Sequence, residues 1–268
     1  MRKKITVDAG NFEFSYACDK SMPTDSDARH CHDVYEILFV VSGEGQCTVE
    51  GTPFAIAPVT LMILSPFEYH SIQIRQDVPY ERYVIKFALS DLDEESSKLL
   101  LGLMEGAESS FGKYFPSEYV PREVFAIFDR FEFALALPDI VRERYIKLLL
   151  SELLLFLAAN RGEYMTHSDE ELGARVIRYL NERITRNISL DSLAKRFFVS
   201  KYHLCRAFKK HNGISVHGYI NQKRVMYAKQ LIDAGETASS AAYRVGFGDY
   251  SSFYRAYVKV LGKSPTSD

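Results

Sequence analysis

The chain contains two related stretches, LAKRFFVSKYHLCRAFKKHNG at residues 193–213 and AAYRVGFGDYSSFYRAYVKVLG at residues 241–262. Each stretch reads as a helix, a short break and a second helix, which opens at a capping residue, Ser200 or Asp249. The offset between the copies grows from 48 to 49 residues across the break, so the second copy has one extra residue in its turn, where chains tolerate insertion. This repeat predicts two helix-turn-helix modules of the kind that reads DNA.

Charge is divided unequally along the chain. The 268 residues carry a formal net charge of −2, but residues 172–268 hold 17 Lys and Arg against 6 Asp and Glu, a balance of +11. Residues 1–171 hold 16 Lys and Arg against 29 Asp and Glu, a balance of −13. A basic segment joined to an acidic one indicates that the basic segment alone meets a polyanion, here double-stranded DNA. The alternative is two solvated surfaces of opposite sign that attract one another.

Length and composition favour a globular chain with two domains. With 268 residues and 47% hydrophobic content, the chain can bury a sizeable core. No apolar signal segment follows the initial Met-Arg-Lys-Lys, and no run approaches the ~20 apolar residues that span a bilayer, so we expect a cytoplasmic protein without a membrane partner. Paired spacing is absent among the four cysteines, so we expect reduced thiols at Cys18, Cys31, Cys47 and Cys205.

The pattern of apolar and polar residues in the N-terminal segment changes near residue 90. Before it, apolar and polar residues alternate in short runs between glycine and proline turns, as at 46–50 and 83–87, which predicts an antiparallel sandwich or barrel. After it, helices are predicted at residues 96–104, 122–137 and 140–160. The last is so apolar that most of its sides must be covered, either by its own domain or in part by a second subunit.

A polar, aperiodic stretch at residues 161–171 coincides with the change of charge and is the predicted linker. A helix with one buried stripe follows, since apolar residues recur every fourth position at Leu172, Val176, Leu180 and Ile184. A long helix is predicted from Ser215 to Gly235. Its run of about 20 residues would extend ~30 Å, close to the ~34 Å between successive major-groove faces on one side of a duplex.

Base-contacting residues are expected near the N-terminus of the second helix of each module, opposite its apolar positions. Arginine pairs bidentately with a guanine edge, whereas tyrosine and serine make less selective contacts. Arg206 and Arg255 occupy equivalent positions in the repeat, so we expect both to touch DNA. The outward residues predicted from helical spacing are Lys201, Tyr202, Cys205, Arg206 and Lys209, then Tyr250, Ser251, Tyr254 and Arg255.

Further spaced motifs run through the same segment: Ser189-Leu190-x-x-Leu193-Ala194, Gly213-x-Ser215, Tyr219-Ile220-x3-Arg224-x3-Ala228-x-x-Leu231-Ile232, Gly246-Phe247-x-Asp249 and Gly262-Lys263-Ser264-Pro265. From about Leu172 to Pro265 the sequence resembles the AraC/XylS family of bacterial transcription regulators. The resemblance implies a seven-helix unit that usually activates transcription by contacting RNA polymerase. It also adds Ser252 to the base-contacting positions.

Two features depart from the pattern of that family. Ala238 and Ala241 stand where larger aliphatic side chains are usual, which predicts looser packing in the second module. The sequence ends at Asp268, soon after Ser264-Pro265, without the usual aromatic and basic ending. We therefore expect the first module to dominate the DNA affinity and the second to support it.

Two motifs in the N-terminal segment resemble the two cupin signatures: His30-x-His32-x3-Glu36-x6-Gly43, and Pro66-x3-His70 with Glu68 at a usual glycine position. Positions 30, 32 and 36 share parity, so in extended chain they face one side of the sheet, the predicted barrel interior. Ser42 has the same parity. Three histidines and a carboxylate would suit a divalent transition metal.

Sensor domains of the AraC/XylS family often keep such histidines without a metal and hold a small effector inside the barrel. The resemblance therefore implies no metal and no cofactor, but a small organic effector such as a sugar or related metabolite. Arg82 is a candidate anchor for an effector oxygen. The predicted effector-binding residues are His30, His32, Glu36, Ser42, His70 and Arg82; the metal alternative uses His30, His32, Glu36 and His70, and a structural role for the histidines is the third possibility.

The predicted fold is α+β with two domains. A cupin-like antiparallel β-barrel (residues 1–90) and a helical dimerisation and packing segment (91–160) precede the linker and an all-α domain with two helix-turn-helix modules (172–268). The predicted function is a homodimeric, effector-controlled, sequence-specific transcription regulator, an activator and not an enzyme. The alternatives are a metal-dependent cupin enzyme, such as an isomerase or dioxygenase, fused to a DNA-binding segment, and a constitutive regulator whose barrel only dimerises.

Overall fold

The chain divides into two compact units, Met1–Thr166 and His167–Asp268. A computed structural model describes residues 3–9, 12–19, 29–104, 113–134, 136–160 and 171–266. Apart from Glu171, the predicted linker at 161–171 lies outside the described residues. Within them, no helix is both long and apolar enough to cross a bilayer.

The strands of the first unit form two antiparallel sheets, which confirms the predicted architecture of this segment. The strands are β1 (Lys3–Ala9), β2 (Phe12–Asp19), β3 (Tyr35–Ser42), β4 (Gly45–Val49), β5 (Thr52–Ile56), β6 (Thr60–Leu64), β7 (His70–Ile74), β8 (Tyr80–Phe87) and β9 (Lys113–Phe115). Six of them pair in the order β1-β2-β8-β3-β6-β9, and three in the order β5-β4-β7. β9 was not predicted; it comes from the segment expected to be helical and pairs with β6.

Alternate residues of β3 serve two separate cores. Ile37 and Phe39 pack in a core that also contains residues of α1 (Glu94–Met104), α2 (Glu123–Ala134) and α3 (Asp139–Ala159). Leu38 and Val40 pack instead with residues of the smaller sheet, such as Cys47. Because successive side chains of a strand point to opposite faces, the six-stranded sheet lies between the helices and the smaller sheet. The three predicted helices are confirmed, with ends that shift by a few residues.

Helix α3 is buried along one side and exposed along another. The buried side carries Leu149, Leu150, Leu153, Leu154 and Leu157. The exposed side carries Val141, Leu148 and Leu155, with exposed fractions of 49%, 54% and 55%. These three residues are seven positions apart, so they lie in one line along the helix.

The second unit is helical. Its α-helices within the described residues are α4 (Leu172–Asn181), α5 (Leu190–Arg196), α6 (Lys201–Asn212), α7 (Val216–Asp233), α8 (Ala238–Arg244) and α9 (Tyr250–Leu261), one fewer than the family resemblance implies. The predicted caps Ser200, Ser215 and Asp249 each accept a hydrogen bond from a backbone N–H in the first turn. Gly213 ends α6 with φ +81° and Gly262 ends α9 with φ +71°, a conformation that glycine adopts without strain. Both predicted helix-turn-helix modules are therefore present.

Candidate functional site

Helix α6 presents its first turns to solvent. Leu204 and Phe208 hold the opposite face in the core, where the Phe208 ring meets Tyr219 edge-on at 5.6 Å. Tyr202 is 76% exposed and Arg206 is exposed one turn later, as predicted from the spacing. This face has the geometry of a recognition helix, with an aromatic ring and a guanidinium side by side.

The other predicted residues of α6 differ in their surroundings. The Lys201 ammonium pairs with Asp191 Oδ1 at 3.0 Å and so connects α6 to α5. Cys205 is half-buried, and Lys209 is exposed. His203, which was not predicted, is exposed in the first turn of α6. Its position within that turn was the available signal, but the first turn also contains residues that face the protein.

Helix α9 is organised around its cap. Asp249 accepts hydrogen bonds at 2.8 Å from the backbone N–H and from the hydroxyl of Ser252, and the backbone bond is the main cause of its lowered pKa. Arg255 Nη2 lies 3.4 Å from the same hydroxyl oxygen. The half-buried Ser252 is therefore engaged within the protein. Ser251 and Arg255 are exposed.

Aromatic rings fill the second module beside the small residues of α8. Ala241 is fully buried in a cluster that includes Phe247, Phe253 and Tyr257. The ring of Phe253 lies 5.4 Å from those of both Phe247 and Tyr257. Tyr250 is half-buried at 5.6 Å from Phe253, whereas Tyr254 is exposed. The looser packing predicted from the alanines stays a prediction.

Arg224 of α7 joins the two modules through what we call the Arg224 clamp. Its guanidinium donates to three backbone carbonyls, at 2.8 Å to Ile184, 2.6 Å to Arg186 and 2.6 Å to Gly246. Burial lowers the pKa of this guanidinium. Gly246 has φ +97°, and a Cβ there would lie 2.5 Å from the carbonyl oxygen of Thr185. The segment after α4 and the turn of the second module therefore meet closely around one cation.

In the first unit, three histidines converge, and we call them with Glu36 the histidine cluster. His30 and His70 exchange backbone hydrogen bonds at 2.9 and 2.8 Å, and their rings lie 4.4 Å apart. The His32 ring lies 4.9 Å from that of His70. One ring nitrogen from each histidine can be chosen so that all lie within 4.8 Å of one another.

Within the histidine cluster, the Glu36 carboxylate is ionised and the His70 ring is neutral. Glu36 is 5% exposed, with Oε2 at 2.8 Å from His32 Nε2 and 3.8 Å from Lys86 Nζ. Burial alone would raise the pKa of Glu36, but the hydrogen bond and charge of His32 outweigh it and the pKa falls to about 2. Burial lowers the pKa of His70 to about 4. An ionised carboxylate beside imidazoles is a donor set that fits a divalent transition metal.

Ser42 and Arg82 lie away from the histidine cluster. Arg82 pairs in register with Val40, four residues along β3 from Glu36, which corresponds to about 13 Å. Its guanidinium pairs with Asp19 at 3.1 Å and lies over the Tyr80 ring. The Ser42 hydroxyl donates to the Pro79 carbonyl at 3.5 Å. Arg82 therefore shares the face of Glu36 but lies at a different height, whereas the register shift between Val40 and Ser42 interrupts the parity from which the position of Ser42 was predicted.

A sheet-rich unit joined to a unit with two capped recognition helices defines a class of two-domain transcription regulators that combine a sensor with a DNA reader. Residues 15–173 match the AraC-like ligand binding domain, and residues 193–267 match a helix-turn-helix domain. Since the first match covers more than half of the chain, the chain belongs to the AraC/XylS family. It is a transcription regulator with a ligand-binding domain and a DNA-binding domain.

Relatives match most of the chain. The chain is 23% identical over 262 residues to the HTH-type transcriptional activator RhaS of Escherichia fergusonii, covering 94% of this chain and 91% of the relative. It is 22% identical over 258 residues to RhaS of Salmonella schwarzengrund, covering 93% and 90%. Among solved structures, apo ToxT from Vibrio cholerae covers 97% of both chains with 15% identity and a TM-score of 0.45.

Proposed function

We propose that this regulator is a cytoplasmic homodimer that activates transcription when a small-molecule effector binds its sensor unit, and that it has no enzymatic activity. The observation that carries the proposal is the pair of equivalent, capped recognition helices with exposed arginines, Arg206 and Arg255. The similarity to RhaS, which is named as an activator, supports activation and, with it, RNA polymerase as a partner.

The proposed base-reading surface consists of exposed and half-buried residues near the N-termini of the two recognition helices. In α6 it consists of Tyr202, Cys205 and Arg206, with Lys201 and Lys209 on the flanking phosphates. Lys201 can exchange its exposed partner Asp191 for a phosphate, because an exposed ion pair contributes little in water. In α9 the surface consists of Tyr250, Ser251, Tyr254 and Arg255. Ser252 is proposed to act indirectly, because its hydroxyl oxygen accepts a hydrogen bond from Arg255 and so helps to position that side chain.

The exposed line on α3 is the proposed dimer contact. Val141, Leu148 and Leu155 recur every seven residues, the spacing at which two helices pack side by side. Ile140, at the start of the same helix, is 86% exposed. Burying these apolar side chains against a second copy would remove them from water, which is favourable in proportion to the apolar area.

The effector is proposed to bind at the end of the sensor unit that carries the histidine cluster. Leu38 and Val40 fill the space between the sheets farther along β3, where both are buried. His30 is the exposed member of the cluster and leaves it accessible from solvent. Ser42 and Arg82, predicted for the same site, lie near the other end of β3 and are not proposed to share it.

The DNA-reading part of the proposal is tested by selecting binding sites from a random duplex library with wild-type protein and with Arg206→Ala. We expect the substitution to cost ~1 to 3 kcal/mol of specific binding and to relax base preference at one position. Lys210→Ala is the matched control, since it removes an exposed cation from the last turn of α6, beyond the N-terminal turns that are proposed to read bases. An unchanged base preference in Arg206→Ala would contradict the recognition-helix assignment.

A further inference from the structure

We propose that the histidine cluster is a binding site for one divalent transition-metal ion, with His30, His32 and His70 as ligands. Their ring nitrogens already lie within 4.8 Å of one another. Nitrogens around a tetrahedral zinc ion are roughly 3.3 Å apart, so rotations that move the rings by about 1 Å would close the site. The ion adds a component that the proposed regulator function does not require.

The backbone holds two of the three ligands in place. The reciprocal hydrogen bonds between His30 and His70 fix these residues opposite each other, although they are forty positions apart in the sequence. The carbonyl of His32 accepts a hydrogen bond from the Phe67 N–H at 2.7 Å. The loop that leads to His70 is thereby attached to the segment that carries the other two histidines, so all three ligands belong to one hydrogen-bonded framework.

The ring of His70 has a buried nitrogen that needs a partner. Its Nδ1–H donates to the carbonyl of Glu68 at 2.9 Å, which leaves Nε2 as the unprotonated nitrogen. His70 is only 1% exposed, and among the described residues Nε2 has no hydrogen-bond partner. A buried acceptor without a donor is unfavourable. A metal ion among the three rings would accept the lone pair that no protein donor reaches.

The charges and donor types favour a transition metal over other cations. Glu36 places a carboxylate 2.8 Å from His32 and supplies negative charge beside the imidazole ligands, although Lys86 at 3.8 Å offsets part of it. Imidazole suits zinc, nickel, copper and iron, whereas magnesium and calcium prefer oxygen ligands. The exposed position of His30 leaves one side open to solvent, where water or an oxygen of the effector can complete the coordination.

The test uses full-length protein without an affinity tag, treated with chelator and then titrated with Co²⁺ and Zn²⁺. We expect one ion per chain, a Co²⁺ visible spectrum, and a rise in melting temperature that chelator reverses. Replacing one ligand, in His30→Ala or His32→Ala, should weaken binding at least about tenfold. His217→Ala, which removes an exposed histidine of α7, should leave binding at the wild-type level.

His30 is exposed, so His30→Ala should keep the native circular dichroism spectrum even where His70→Ala unfolds the sensor unit. Cys31→Ser should retain the Co²⁺ spectrum, which separates histidine from thiolate ligation. Arg206→Ala should also retain it, so loss of DNA recognition and loss of metal binding are distinguishable. Two results would overturn the proposal: folded wild-type protein binds neither ion stoichiometrically, or His30→Ala and His32→Ala bind the ion as tightly as wild type does. Either result would show that the histidines form only a structural network.

Discussion

Arg224→Met should destabilise the DNA-binding unit, because it removes the cation of the Arg224 clamp while keeping most of the apolar length. Three carbonyls would lose their donor, those of Ile184, Arg186 and Gly246. Hydrogen bonds that involve a charged group contribute ~1.5 to 3 kcal/mol each, but the guanidinium is half-buried and water can replace part of what is lost. We therefore expect a total loss of about 3 kcal/mol rather than the full sum.

Hydrogen exchange measured by mass spectrometry can locate that loss. Backbone amides in the segments 184–190 and 238–250 exchange only when the Arg224 clamp opens. In Arg224→Met their exchange rates should rise about 100-fold, while the exchange rates in the sensor unit stay unchanged. Lys229→Met is the control, since its ammonium pairs with Asp233 on the same helix and the pair contributes less than about 1 kcal/mol. Equal exchange rates in Arg224→Met and wild type would refute the idea that one side chain connects the two modules.

Three further predictions concern the dimer, the second module and acid stability. Leu148→Glu should convert the dimer to monomers in sedimentation experiments, because it places a charge in the apolar line; an intact dimer would exclude this face. Arg255→Ala should weaken DNA binding by ~1 kcal/mol, less than Arg206→Ala, and a larger loss would reverse the expected ranking of the modules. In chelator-treated protein, stability should fall by up to about 3 kcal/mol as the pH drops from 6.5 to 4, because burial lowers the pKa of His70 to about 4 and the unfolded chain takes up the proton first. Urea unfolding measures this loss, and His70→Gln should remove most of it.

The recognition helices could be predicted because their signals are local. Ser200 and Asp249 sit directly before the helices they cap, and the apolar spacing at Leu204 and Phe208 identifies the buried face without reference to the rest of the fold. The role of Arg224 was not predictable in the same way. Its position in a motif was visible, but its three acceptors come from two distant turns that only the folded chain brings together.

The sensor site shows a different limit of sequence reasoning. Parity along β3 predicts which face a side chain occupies only where the strand is regular, and the register shift between Val40 and Ser42 breaks it before Ser42. Parity carries no information on the register between strands, which sets the height of each neighbour. Lys86 lies opposite Glu36, whereas Arg82 lies opposite Val40, so the first joins the histidine cluster and the second does not. The convergence of His70 likewise depends on a long-range backbone pairing.

Strand β3 contributes side chains to the histidine cluster on one face of the sheet and to the helical layer on the other. Glu36 contacts His32 within the histidine cluster, and three residues later Phe39 stacks at 4.8 Å on Phe128 of α2. A strand in a close-packed sheet cannot easily bend or compress between neighbouring residues, so a shift of its main chain at Glu36 would also move Phe39. An event at the cluster that shifts the main chain of β3 would therefore act on the helices through the strand itself, without a relay of intervening side chains.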